Sequence, residues 1–417
     1  MCKLYIKGHN RLNGDVNISS AKNSVLPILA STILADGVSL INNAPNIEDV
    51  YVLCDVLRSV SAEVNIDNNN NILVDSKNLS DKNIDNDLIG KMRAAFLILG
   101  PLVARLGRAK ISLPGGCKIG ARPIDLYLKG LKSLGASVKE ENGYVEVTAK
   151  KFIGGSVFLD YPSVGATELL MMSGAIAEGD TYIENAAREP EIIDLATFLN
   201  KMGAKILGAG TSNIFIKGVK KLNGTNHTPI FDRIEAGTMM MATAMTRGKV
   251  NIIGINEEWM KPAIFKLREM GVKIECNGDR MFVDGDVDLR AVDITTMPHP
   301  GFPTDLQSQM LSLLCIAEGT SNVKETVFEN RFVQVPELRR MGADISIINS
   351  KVASIRGVQE LTGAEVSSPD LRAGAGLIIA GLGAKGETIV DNIYYVDRGY
   401  VAIEKKLAAL GADIVRK

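Results

Sequence analysis

The phrase Leu134-Gly135-Ala136-Ser137-Val138 recurs as Met202-Gly203-Ala204-Lys205-Ile206 and as Met270-Gly271-Val272-Lys273-Ile274. It returns as Met341-Gly342-Ala343-Asp344-Ile345 and as Leu410-Gly411-Ala412-Asp413-Ile414, and Val60-Ser61-Ala62-Glu63-Val64 is a degenerate first copy. The interval stays at about 70 residues, so the chain is an internal six-fold repeat of similar supersecondary units. A chain of 417 residues built this way cannot be one long fold.

Each phrase follows an amphipathic helix, as at 193–201 and 264–269, and its glycine suits the helix C-cap. Most copies lead into a hairpin, clearest where Glu63-Val64-Asn65-Ile66, a turn of asparagines at 68–71 and Ile72-Leu73-Val74 follow one another. The last copy reaches Lys417 with only its first strand, so Lys3-Leu4-Tyr5-Ile6 is its expected partner. A second helix is expected in each repeat, at 21–34, 92–106, 164–177, 233–246, 305–317 and 371–382. These six are rich in Ala, Met, Leu and Gly on every face and must be buried on all sides. The linker 223–229 parts the copies three and three. The expectation is α/β, with one discontinuous domain of 1–19 and 230–417 and a second of 20–229.

Charges gather at the starts of the buried helices: Lys22-Asn23, Arg93, Ser163 with Thr167, Arg233, Asp305, and Asp370 with Arg372. Capping explains Ser163 and part of Asp305. It does not explain the cations, because a helix N-terminus already carries about half a positive charge. A bound anion and a structural ion pair both answer this, and the anion is the preferred reading. Because formal net charge is only −1, any anion recognition must be local. Aromatics make up 5% and no basic stripe is interleaved with them, so no nucleic-acid partner is expected. No apolar run reaches the roughly 18 residues of a membrane-spanning helix, and no membrane partner is expected. The five cysteines are scattered without a CxxC and the three histidines lack metal-ligand spacing, so neither a disulfide framework nor a metal site is expected. The chain reads as cytoplasmic.

Chemistry concentrates at Leu113-Pro114-Gly115-Gly116-Cys117-Lys118-Ile119-Gly120-Ala121-Arg122-Pro123-Ile124-Asp125. Two glycines precede a thiol flanked by Lys118 and Arg122, cations that favour the thiolate. A mobile loop offering sulfur and guanidinium to an anion is one reading, and a tight turn with an inert cysteine is the other. Gly381-Leu382-Gly383-Ala384-Lys385-Gly386 matches GxGxxG by letter, but it closes a helix and precedes a strand, the reverse of a dinucleotide site. His299 between two prolines reads as a rigid loop residue.

The organisation and several phrases together resemble the enolpyruvyl transferases, and within them the branch acting on UDP-N-acetylglucosamine. The phrases are Ser20-Ala21-Lys22-Asn23, Lys91-Met92-Arg93-Ala94, the Gly-Gly-Cys loop with Gly120-Ala121-Arg122-Pro123, and Glu184-Asn185-Ala186-Ala187-Arg188-Glu189-Pro190-Glu191. Phe302-Pro303-Thr304-Asp305, Phe328-Glu329-Asn330-Arg331-Phe332, Asp370-Leu371-Arg372 and Asp397-Arg398-Gly399-Tyr400 complete the set. The resemblance implies a two-domain inside-out α/β barrel of six βαβαββ-like units, three per domain. It implies transfer of the enolpyruvyl group of phosphoenolpyruvate to the sugar 3-hydroxyl, releasing phosphate, as the first committed step of peptidoglycan synthesis. No metal or organic cofactor is implied.

By position, Lys22, Arg122 and Arg398 would hold phosphoenolpyruvate, Cys117 would protonate its methylene carbon, and Asp305 would take the hydroxyl proton. Asn23, Arg93, Arg122, Pro123, Ile124, Asp125, Leu126, Ser163, Val164 and Val327 would contact the nucleotide sugar. Arg331, Asp370 and Arg372 would complete a charged lining. On this reading, replacing Asp305 by alanine costs chemistry and spares the fold. The rivals are the sister branch acting on shikimate 3-phosphate and a non-catalytic UDP-sugar-binding regulator. The sister branch carries Gly-Asn-Ala-Gly-Thr before its second buried helix, where this chain has Lys91-Met92-Arg93.

Overall fold

The computed structural model describes residues 2–80, 88, 93–113 and 124–417. Cys117, Arg122 and Pro123 lie outside the described residues, as does the side chain of Arg93. The chain divides into two compact units, one formed by residues 2–19 with Phe231–Lys417 and the other lying within residues 20–230.

The first unit has three four-stranded sheets. One orders Glu365–Ser367, Glu387–Asp391, Leu4–Lys7 and Asp413–Arg416, its first pair parallel and the others antiparallel. The strand expected at 3–6 therefore sits inside this sheet, with Leu4 opposite Val390 and Ile6 opposite Ile414. Its alternation is strict: Leu4 and Ile6 are fully buried while Lys7 faces solvent. The other two sheets repeat the scheme, with Asn13–Asn17 parallel to Lys249–Ile253 in one and Ile294–Thr295 parallel to Thr320–Lys324 in the other. In the second unit the same four-strand scheme appears twice. Asn226–His227 lies parallel to Val38–Ile41 and Ser156–Phe158 parallel to Asp180–Glu184, each pair continuing into antiparallel strands. A three-stranded sheet of Arg108–Ser112, Tyr144–Thr148 and Ser137–Glu141 accompanies them.

Three helices fill the centre of the first unit, Arg233–Met245, Gln307–Leu314 and Leu371–Gly383, and they pack on one another. Every residue from Ile234 to Met245 and from Arg372 to Leu382 is buried. Their counterparts in the second unit are Lys22–Ser31, Leu99–Leu106 and Val164–Ala175. The expected helix at 92–106 is two elements, a 3-10 stretch Arg93–Ile98 followed by the α-helix. Pro101 has no N–H and would clash with the carbonyl four residues back, so regular α-helix begins where Pro101 falls in the first turn. The helix expected at 305–317 likewise starts as a 3-10 turn, Thr304–Leu306, and ends at Leu314.

The recurring phrase has a backbone cause. Gly135, Gly203, Gly271, Gly342 and Gly411 all adopt positive φ just after an outer helix. In the degenerate first copy Ser61 takes that conformation at φ 69°, an uncommon state for a residue with a Cβ. The repeat is thus a repeated left-handed helix stop that turns the chain into its hairpin.

Candidate active site

Helix starts position the candidate side chains of the first unit. Asp232 caps Arg233–Met245 by accepting from the N–H groups of Ile234 (2.8 Å) and Glu235 (3.1 Å). Asp370 caps Leu371–Gly383 in the same way, with Oδ1 accepting from the N–H groups of Arg372 (2.8 Å) and Ala373 (3.0 Å). Asp305 stands in the 3-10 turn just before Gln307–Leu314.

Three predicted residues meet at that turn. Arg331 donates from Nη2 to Asp305 Oδ1 at 3.0 Å, and Arg372 donates from Nη2 to Oδ2 at 2.8 Å. The two guanidiniums are buried, while the Asp305 side chain keeps 24% of its exposure. A carboxylate reached by solvent thus rests on two cations that are not. Arg372 sits 5.7 Å above the Tyr400 ring, a cation–π distance. Burial pulls the Arg372 guanidinium towards neutrality, but the charge of Asp305, with Tyr400 and Asp232 behind it, outweighs this and raises its pKa further. Burial also pushes the Tyr400 phenol up, with Arg372 opposing. Beneath them Gln309 Nε2 reaches the Asp305 carbonyl (3.0 Å) and the Tyr400 hydroxyl (3.1 Å), and that hydroxyl meets Thr238 Oγ1 at 2.8 Å. Among the described residues, Arg331 Nε, Arg372 Nη1 and Asp370 Oδ2 are buried without a hydrogen-bond partner. Buried polar atoms left unpaired are costly, and these three suit polar groups of a ligand. Val327 is half-buried just upstream of Arg331, and Arg398 is half-buried two residues before Tyr400.

In the second unit Lys22 opens its helix, and its ammonium lies 2.6 Å from Asp49 Oδ2. Asp49 occupies the first turn of Glu48–Ser59, where an acid is favoured, and is itself buried. The cation at this helix start therefore has a protein partner from outside the predicted set. Asn23 is half-buried beside it. Ser163 caps Val164–Ala175, accepting from Ala166 N–H at 3.4 Å, and Val164 is half-buried. Ile124 and Leu126 are half-buried and Asp125 exposed at the start of Asp125–Ser133. Tyr127 from that helix closes on Gly165, where a Cβ would come 1.8 Å from its hydroxyl. Farther along Val164–Ala175, Glu168 is wholly enclosed, and burial, then the charges of Glu191 and Glu189, raise its pKa well above the carboxylate range.

Asp49, Asp232 and Tyr400 were not among the predicted site residues. Asp232 carried a signal, an N-cap residue before an apolar helix, and Tyr400 belonged to a matched phrase. Asp49 carried none, because pairing with Lys22 depends on helix packing.

The EPSP synthase (3-phosphoshikimate 1-carboxyvinyltransferase) family matches residues 6–407. The chain is 57% identical over 417 residues to UDP-N-acetylglucosamine 1-carboxyvinyltransferase 2 of Clostridium tetani, covering 100% of both. It is 51% identical over 416 residues to UDP-N-acetylglucosamine 1-carboxyvinyltransferase of Geobacter metallireducens, covering 100% of this chain and 99% of the relative. Its fold is similar to the enolpyruvyl transferase NikO from Streptomyces tendae, with a TM-score of 0.90, 28% identity and coverage of 100% and 99%. It is also similar in fold to EPSP synthase from Acinetobacter baumannii, with a TM-score of 0.77, 18% identity and full coverage of both chains. With nearly the whole chain matched in sequence and in fold, this protein belongs to the EPSP synthase family of enolpyruvyl transferases.

Proposed function

We propose that the chain transfers the enolpyruvyl group of phosphoenolpyruvate to the 3-hydroxyl of UDP-N-acetylglucosamine, releasing phosphate in the first committed step of peptidoglycan synthesis. The observation that carries this is the 57% identity, end to end, with an enzyme named for that reaction. Asp305 is the base. It takes the hydroxyl proton as the sugar oxygen bonds to the substituted enol carbon, while Cys117 gives a proton to the methylene carbon. The adduct then loses a proton from the methyl group so formed to the Cys117 thiolate, the carbon–oxygen bond to phosphate breaks, and the enolpyruvyl ether and inorganic phosphate leave. The solvent-reached Asp305 carboxylate, its two oxygens held by Arg331 and Arg372, supports the base assignment.

Lys22, Arg122 and Arg398 hold the small anion. Asn23, Arg93, Ser163, Val164, Val327 and the 122–126 segment contact the nucleotide sugar, and Asp370 and Arg372 complete the lining. Each unit is half of an inside-out barrel in which helices buried on every side form the centre and the sheets form the outside. The site works in the cytoplasm, where both substrates are supplied. Cys117 is the thiol that an epoxide phosphonate such as fosfomycin alkylates; two competitors are set aside by burial, which pushes the Cys54 and Cys315 thiols up to about 12, far from the reactive thiolate.

Inorganic phosphate release is the test. It is expected only when phosphoenolpyruvate and UDP-N-acetylglucosamine are both present. Release with shikimate 3-phosphate in place of the nucleotide sugar, or nucleotide-sugar binding without release, would overturn the proposal.

A further inference from the structure

Glu325 follows the strand Thr320–Lys324 and is fully buried, at 0% exposure. No lysine, arginine or histidine forms an ion pair with it among the described residues. Its carboxylate instead accepts four hydrogen bonds. Oε1 receives the Thr296 hydroxyl at 2.8 Å, the Val327 N–H at 2.8 Å and the Phe328 N–H at 3.1 Å. Oε2 receives the Thr304 hydroxyl at 2.9 Å. Thr296 is further tied to Thr326, accepting its N–H at 3.0 Å on the hydroxyl and its hydroxyl at 2.6 Å on the carbonyl.

Burying an ionised carboxylate is costly, and an apolar side chain would fill a core position more cheaply. Only the ionised form accepts all four bonds, because a protonated carboxyl or an amide presents a donor on one side. The four donors come from three separate backbone segments. One holds Thr304, the neighbour of Asp305. Another holds Val327 and Phe328, three residues before Arg331, whose guanidinium reaches Asp305 Oδ1 at 3.0 Å and the Thr304 carbonyl at 3.4 Å. One carboxylate thus sets the register of the turn that carries the base against the turn that carries its guanidinium neighbour.

We infer that Glu325 is a positioning residue for the transfer reaction, locking the Thr304–Asp305 turn to the Val327–Phe328 turn through three hydrogen bonds, with a fourth from Thr296 holding the carboxylate in place. This rests on the proposed function. It adds that the aim of the base depends on a carboxylate that touches no substrate.

Glu325→Gln keeps the shape but turns one acceptor into a donor. The two backbone N–H groups and Thr296 fix the amide oxygen on the Oε1 side, so the NH₂ falls opposite Thr304, whose hydroxyl must turn round and accept, and a charge-assisted bond becomes a weaker neutral one. Thr304→Val removes that same link from the other end. Phosphate release gives kcat and both KM values, and thermal melting gives stability. Both variants are expected to fold; Thr304→Val should lose roughly 10–100-fold in kcat, the scale of a misaimed reacting group, and Glu325→Gln a smaller part of that, with the phosphoenolpyruvate KM changed by less than about twofold in each. Because both act on one link, which Thr304→Val removes outright, the double variant should be within about twofold of Thr304→Val.

A lowered melting temperature with kcat unchanged would make Glu325 a stabilising residue only and overturn the inference, as would fully multiplicative losses in the double variant. If Glu325→Gln does not fold, Thr304→Val decides alone, an unchanged kcat overturning the inference. Wild-type protein that releases no phosphate with this substrate pair would instead refute the assigned reaction, and the positioning role with it.

Discussion

Asp305 holds its two neighbours as firmly as they hold it. With Arg331 at 3.0 Å and Arg372 at 2.8 Å, both buried, the carboxylate is their counter-ion. The expectation that Asp305→Ala spares the fold therefore needs correcting. Alanine leaves two buried guanidiniums facing each other, a loss of about 3–5 kcal/mol when a buried ion pair is broken from one side. Asp305→Asn is the better probe, since its amide still accepts from one arginine. Its turnover should fall at least about 10²-fold, the scale of a lost general base, and near-normal phosphate release from this variant in soluble form would remove Asp305 from the chemistry. A second residue acts through pH. The folded state raises the Glu168 pKa by burial and by Glu191 and Glu189, so folded protein keeps a proton that unfolded chain releases. Stability should be fullest below the unfolded glutamate pKa and decline as pH rises through the raised folded value. Glu168→Gln should melt higher than wild type near pH 8 and lose that advantage near pH 4; equal melting at both pH values would show that Glu168 is not held protonated. Residue types at the site were legible in the sequence because charges at the start of apolar helices are anomalous. Their partners were not. Lys22 with Asp49 and Thr304 with Glu325 pair side chains far apart in sequence, and only helix packing and loop register bring them together.

Runs apolar on every face located the six central helices, yet misjudged where some of them end, and the last three residues of Leu99–Leu106 are only half-buried. Ala317 is fully buried but lies beyond the last helical residue, Leu314, and Ala177 lies beyond Ala175. Apolarity reports burial, and the turns leaving these helices still fill the core. Glycine inside such a helix reports something else. At Gly376 a Cβ would stand 2.7 Å from the Ser308 carbonyl oxygen and 3.1 Å from Ser312 Oγ, so Leu371–Gly383 and Gln307–Leu314 touch backbone to backbone there. Alanine would improve helix propensity by about 0.5–1 kcal/mol. Against this, overpacking a tight contact costs about 1–3 kcal/mol. The net expectation for Gly376→Ala is destabilisation, read as a lower urea midpoint at unchanged m-value. These two helices follow Asp305 and carry Arg372, so prising them apart should also lower kcat. A stabilised variant with full turnover would mean that the helices have room to spare.

Two units and one discontinuity govern how the chain assembles. Every sheet is completed within its own unit, and no strand of residues 20–230 pairs outside that span among the described residues. The other unit depends on both ends of the chain. Leu4–Lys7 is an inner strand of one of its sheets and Asn13–Asn17 an edge of another, with Leu4, Ile6 and Leu12 fully buried. The repeat foretold this dependence, because a last copy ending on one strand needs a partner from elsewhere in the chain. The strand's inner place in the sheet was not foretold, since sequence does not show which edge a returning strand joins. A fragment of residues 20–230 should therefore fold alone with one cooperative urea transition. Residues 231–417 alone lack an inner strand and the side chains of Leu4 and Ile6 from their core, and burying those two accounts for about 1.5–3 kcal/mol each. Missing stabilisation on that scale is a large part of what keeps a domain folded. The 231–417 fragment should show a broad, weakly cooperative transition that sharpens when a peptide of residues 2–19 is added. A sharp transition without the peptide would mean that the three central helices suffice to hold the unit together and that the N-terminal strands only decorate it.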